Sequence, residues 1–171
     1  GTGPNAAVYA VSLDAAGRAV IGGGFATVNG TSRPGIARLT TTGALDTTFG
    51  TNGIFQTAPL AAISEAYAAV LQGTSLVTAG YGRNAAPDPL DWLSLRLTPA
   101  GALDTPYGTN GFPRVDRAGF NDTPRTLVPL PDNRLLLVGG GRSSETNSDG
   151  MIGVLPANGA RDTSFGTNGL M

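Results

Sequence analysis

The stretch Gly43-Ala44-Leu45-Asp46-Thr47-Thr48-Phe49-Gly50-Thr51-Asn52-Gly53 returns as Gly101-Ala102-Leu103-Asp104-Thr105-Pro106-Tyr107-Gly108-Thr109-Asn110-Gly111. It returns again as Gly159-Ala160-Arg161-Asp162-Thr163-Ser164-Phe165-Gly166-Thr167-Asn168-Gly169. The offset is 58 residues from Gly43 to Gly101 and again from Gly101 to Gly159. One fixed period of this size is the mark of propellers, solenoids and arrays. The chain therefore reads as three units, residues 1–58, 59–116 and 117–171.

Each residue type in the motif has a backbone task. The glycines reach positive φ without a Cβ penalty, and Asn-Gly is a tight-turn dipeptide. Asp46, Asp104 and Asp162 are placed to accept hydrogen bonds from N–H groups a few residues on, as in an Asx-turn. Phe49, Tyr107 and Phe165 supply a large apolar group that pins the loop to a core. Gly53, Gly111 and Gly169 close the turn. The rival reading is a calcium loop, because Asp, Thr and Asn all offer hard oxygen donors. Each copy, however, holds one carboxylate, and the Asp-rich EF-hand spacing is absent. The structural turn is the stronger reading.

Composition narrows the function. Net charge is −1, which gives no electrostatic case for nucleic acid or an anionic membrane. The chain has no Cys and no His, and all eleven basic residues are Arg. Thiolate, imidazole and Schiff-base chemistry are therefore excluded from it. No apolar run approaches the ~20 residues of a membrane-spanning helix. Gly and Pro, at 26 and 12, suit many short strands joined by turns. The chain starts at Gly1 rather than Met, and the expectation is a processed or excised part of a longer precursor.

The strands follow a common script. In the first unit, 7–13 and 18–22 form a hairpin, 25–34 a polar loop, 35–40 a third strand and 54–57 a fourth. In the second, 66–71 and 75–79 pair, followed by 92–98 and 112–116. An Ala-rich helix over 61–70 is the alternative to the first of these strands. In the third, 124–130, 134–138 and 150–155 follow the same order, with only Leu170 and Met171 where a fourth strand belongs. The Gly runs after each second strand are expected to end it. At period two, Ala37 and Leu39 map onto Leu95 and Leu97 as inward positions, with Arg38 and Arg96 falling between them. The fold class is all-β: propeller-like, three four-stranded units of 58 residues, part of a larger propeller or assembly, since closed propellers have four to eight blades.

The combination of Gly22-Gly23, Arg38-Leu39, Gly43, Leu45-Asp46, Phe49-Gly50 and Gly53, with the +58 counterparts, resembles the bacterial delta-60 repeat family. That resemblance covers nearly the whole chain. It implies a β-propeller-like module of large secreted or surface proteins and carries no catalytic residues. Val154 stands where the strand Arg belongs, and Arg161 where the motif Leu belongs.

The leading functional expectation is a non-catalytic binding or structural module, extracellular or at the cell surface, acting in adhesion, matrix or a fibre. Its partners are other repeats of the parent chain, a second copy, or surface carbohydrate or protein, with no nucleic acid and no membrane insertion. Candidate contacts are Arg33, Tyr81, Arg83, Trp92 and Arg142, because Tyr, Trp and Arg are favoured contact types. The bland reading of the same residues is a core Trp and solvated Arg. A polysaccharide-processing hydrolase or lyase is a second hypothesis, and it requires two carboxylates converging in a pocket. A calcium-stabilised scaffold is a third, with Asn147-Ser148-Asp149-Gly150 and the motif Asp residues as candidates. Otherwise no cofactor is expected.

Overall fold

The computed structural model describes residues 1–50, 63–117 and 119–171. The first unit contains β1 (Val8–Leu13), β2 (Ala19–Gly23), a small hairpin of β3 (Thr27–Val28) and β4 (Thr31–Ser32), and β5 (Ile36–Leu39). The second contains β6 (Ile63–Gln72), β7 (Ser75–Arg83), β8 (Asp91–Leu97) and β9 (Arg114–Val115). The third contains β10 (Asp122–Pro129), β11 (Leu135–Arg142) and β12 (Ser148–Leu155). The sheets are antiparallel and ordered β1-β2-β5, β6-β7-β8-β9 and β10-β11-β12. The Ala-rich segment is strand, not helix. Its counterparts β1 and β10 explain why: Ala69 and Leu71 are needed on one face of a sheet, at period two. Gly53 and the strand expected over 54–57 lie outside the described residues.

The strand ends differ from expectation in one systematic way. The Gly runs do not end the second strand in units 2 and 3, where β7 and β11 continue to Arg83 and Arg142. Each run instead pairs with a bulge in the first strand. The register shifts between Val8 and Ala10, between Ala66 and Ala68, and between Pro124 and Thr126. A bulge brings the backbones close. A Cβ on Gly23 would stand 2.2 Å from the Ala7 carbonyl oxygen, and one on Gly139 would stand 2.4 Å from that of Thr123. Glycine is the residue that fits.

The fourth-strand position is occupied in unit 3 as well as in unit 2. Met171 exchanges two backbone bonds with Ile152, at 2.8 and 2.9 Å. Its counterpart in unit 2 is Pro113, whose carbonyl accepts from the Ser94 N–H at 3.1 Å. Pro has no N–H, so only one of the two bonds exists there.

The sheets stack. β6 packs on β1 and β2, and β10 packs on β6, β7 and β8. Two clusters fill the gaps between units. Val20, Ile36 and Phe49 of unit 1 meet Leu76, Leu95 and Leu97 of unit 2. Val77, Ala79, Trp92, Tyr107 and Val115 of unit 2 meet Leu127, Leu135, Leu137, Met151 and Leu155 of unit 3. A third cluster, Ile21, Phe25, Val28 and Ala37, belongs to unit 1 and draws in the small β3–β4 hairpin. Unit 2 is therefore buried on both faces. This corrects the single-inward-face expectation: Leu95 faces unit 1, whereas its neighbour Arg96 faces the unit 3 side.

Candidate functional site

The junctions between units are built from the motif, and Asp46 shows how. Its Oδ1 accepts from the Thr48 N–H at 2.9 Å and the Thr48 hydroxyl at 2.6 Å. Its Oδ2 accepts from Arg38 Nε at 2.8 Å. One oxygen therefore fastens the turn and the other holds an arginine from β5. Burial works to raise the Asp46 pKa, but the Thr48 and Arg38 hydrogen bonds outweigh it and leave the carboxyl below its ordinary value. Both oxygens are committed to protein donors.

Arg38 carries the motif across to the next unit. Its guanidinium lies 4.6 Å from the centroid of the Phe49 ring and donates to the Pro99 carbonyl of unit 2 at 2.7 Å. Phe49 is buried beneath the turn of the next motif: a Cβ on Gly101 would meet its ring at 2.7 Å. The Gly50 N–H donates to the Ala100 carbonyl at 2.6 Å. The second junction repeats every part. Arg96 Nε donates to Asp104 Oδ2 at 2.7 Å, and Arg96 Nη1 donates to the Ala157 carbonyl at 2.5 Å. Its guanidinium lies 4.4 Å from the Tyr107 ring centroid, and the Gly108 N–H donates to the Asn158 carbonyl at 2.7 Å. A Cβ on Gly159 would sit 2.6 Å from the Tyr107 ring. In unit 3 the arginine is absent. Asp162 Oδ1 still accepts from Ser164, and Arg134 stands 3.5 Å from Oδ2.

A second ladder crosses the junctions at the bulges. The bulged residues are Tyr9, Tyr67 and Arg125, again 58 apart. Tyr9 and Tyr67 stack with ring centroids 4.8 Å apart and planes at 4°. The Arg125 guanidinium lies 5.6 Å from the Tyr67 centroid. Tyr81 stacks on Tyr67 at 5.2 Å, and their hydroxyls are 3.1 Å apart. Sequence reasoning found Tyr81 and missed the other three; their shared position in the repeat was the available signal.

The remaining contact candidates separate by burial. Trp92 is buried in the cluster between units 2 and 3 and donates through Nε1 to the Gly140 carbonyl at 3.3 Å. Arg33 is also buried, with Nη1 on the Ser32 carbonyl. Neither offers a face to a ligand. Arg83 is half-buried and Arg142 is exposed. An open groove of about 380 Å³ lies between the motif loops of units 2 and 3, with Arg114 and Arg161 among its lining residues and no carboxylate.

Carboxylates do converge elsewhere. Asp91 opens β8, Asp116 follows β9, and Asp122 opens β10. One oxygen from each lies within 4.8 Å of the other two. Asp91 and Asp122 are fully buried, and Asp116 is exposed. Arg114 Nε donates to Asp91 Oδ2, and the Arg117 N–H donates to Asp122 Oδ2 at 2.9 Å. Burial raises the Asp91 carboxyl, partly offset by Arg114. Burial, with the charges of Asp116 and Asp91 added, pushes Asp122 up to about 6.

Residues 17–49 match the family described as a domain of unknown function (DUF5122), β-propeller. The matched span runs from the β1–β2 turn to Phe49, through β2, β5 and the first motif up to its aromatic. The repeat is a β-propeller repeat. Its units are blades, and the bonds between motifs are contacts between blades. No curated protein matches the chain.

Proposed function

We propose that this chain is a non-catalytic binding or structural module of a secreted or cell-surface repeat protein, of the delta-60 type, whose blades dock on further blades. One observation carries the reading. Val11 and Leu13 of β1 are 64% and 61% exposed. Their counterparts in β6, Ala69 and Leu71, pack against the Phe49 cluster of the preceding blade. In β10 the counterpart of Val11, Leu127, is buried against blade 2. The outer face of blade 1 thus has the shape and polarity of a surface that elsewhere in the same chain receives a blade. Its occupant is another blade, from the parent chain or a second copy.

The accessible residues for carbohydrate or protein at the cell surface are then Tyr81, Arg83 and Arg142. A hydrolase or lyase draws little support, because Asp91 and Asp122 are buried and the groove between the motif loops of blades 2 and 3 has no carboxylate to act as acid or base. Sedimentation velocity tests the docking. The chain is expected to self-associate with rising concentration, and Val11→Arg with Leu13→Arg is expected to return it to monomer at an unchanged melting midpoint. A wild-type chain that stays monomeric at every concentration contradicts the reading.

A further inference from the structure

The acidic cluster at the junction of blades 2 and 3 is not part of the repeat. The positions 58 residues before Asp91, Asp116 and Asp122 hold Arg33, Ala58 and Ser64. The carboxylates are therefore not a packing device that every blade requires. Their environment is also unusual. Oδ1 of Asp91 and Oδ1 of Asp122 are buried and accept no hydrogen bond. The Arg142 N–H nearby is committed to the Asn121 carbonyl at 3.1 Å. Buried carboxylate oxygens are normally satisfied by a donor or a metal, because stripping them of water is costly. Arg114 neutralises one of the three charges and leaves an excess of negative charge.

We propose that Asp91, Asp116 and Asp122 form a binding site for a hard divalent cation, calcium in preference to magnesium. All three donors are hard oxygens, the type that both cations take. Ca–O distances of about 2.3–2.6 Å place opposite ligands about 4.6–5.2 Å apart, so oxygens within 4.8 Å of one another can share one calcium ion. Magnesium, at about 2.0–2.1 Å, requires the cluster to contract. The exposed side of Asp116 leaves room for water to complete the shell. A cation here ties the end of β8 and the residue after β9 in blade 2 to the start of β10 in blade 3. It acts independently of the docking of further blades on blade 1.

The test uses the full chain after chelator treatment. Terbium occupies calcium sites, and its emission is sensitised by a nearby indole. Trp92, the one tryptophan of the chain, is adjacent to Asp91. TbCl3 is expected to give indole-excited emission that CaCl2 displaces more effectively than MgCl2, and CaCl2 is expected to raise the melting midpoint. Asp116→Asn, at an exposed position, should weaken calcium competition about tenfold or more. Asp122→Asn should remove the signal, and Asp132→Asn, on an exposed turn of blade 3, should leave it unchanged. A terbium signal that survives both the Asp116 and Asp122 changes places the ion elsewhere and overturns the proposal. So does the absence of any calcium-dependent signal or midpoint shift at millimolar CaCl2. A higher midpoint for Asp122→Asn without calcium, joined to that absence, would assign the cluster to a shared proton instead.

Discussion

The motif turns of blades 1, 2 and 3 have nearly the same sequence, yet each uses its aspartate differently. In blade 1, Asp46 both fastens the turn through Thr48 and holds Arg38. In blade 2, Pro106 replaces that threonine and offers neither an N–H nor a hydroxyl, so Asp104 only holds Arg96. In blade 3, Val154 replaces the arginine, and Asp162 mainly fastens the turn through Ser164. The turn and the inter-blade contact are therefore separable jobs of one carboxylate. The turn forms with either job missing. Blade 2 survives without side-chain fastening because Pro106 already restricts φ.

Removing the aspartates one at a time should rank the two jobs. Asp46→Ala has the largest expected effect, about 3 kcal/mol in urea unfolding, because it strands the buried guanidinium of Arg38 and frees the Thr48 donors. The acid limb sharpens this. The Asp46 pKa is depressed in the fold, so its stabilisation is full above the unfolded value near 3.8 and is lost as pH falls below it. Asp46→Asn should flatten that limb of the stability–pH curve. Asp104→Ala should cost about 2 kcal/mol, since Arg96 is less buried and keeps Gln72 and the Ala157 carbonyl as acceptors. Asp162→Ala should cost about 1 kcal/mol, a turn effect alone. Equal costs at all three positions would show that the inter-blade contact contributes nothing.

The same comparison shows what the sequence could carry. Local features were legible: the repeat, the turns, most strands and the Asx role of Asp46 follow from residues within a few positions of each other. The destinations of Arg38 and Arg96 were not, because their acceptors lie 61 residues on, in the next blade. Alternation suggested one buried face, whereas a sheet held between two others buries both. The β3–β4 hairpin was hidden in a polar loop whose apolar anchors, Phe25 and Val28, are only two side chains. Asp91, Asp116 and Asp122 escaped notice because β8–β9 pairing and the docking of blade 3 bring them together, and neither is local.

The central claim, that successive blades are joined through the motif aromatic and the following glycine turn, has a direct test in Gly43, Gly101 and Gly159. All three have the same backbone strain on substitution, with φ of 80°, 83° and 78°. They differ in surroundings. A Cβ on Gly43 meets nothing within 4 Å, whereas one on Gly101 or Gly159 meets the aromatic ring and backbone of the preceding blade below 3 Å. The measurement is the urea unfolding free energy of the three Gly→Ala variants. Gly43→Ala should cost about 1 kcal/mol, the left-handed backbone penalty alone. Gly101→Ala and Gly159→Ala should each cost about 2 kcal/mol more, from overpacking against Phe49 and Tyr107. Three equal costs would contradict the account.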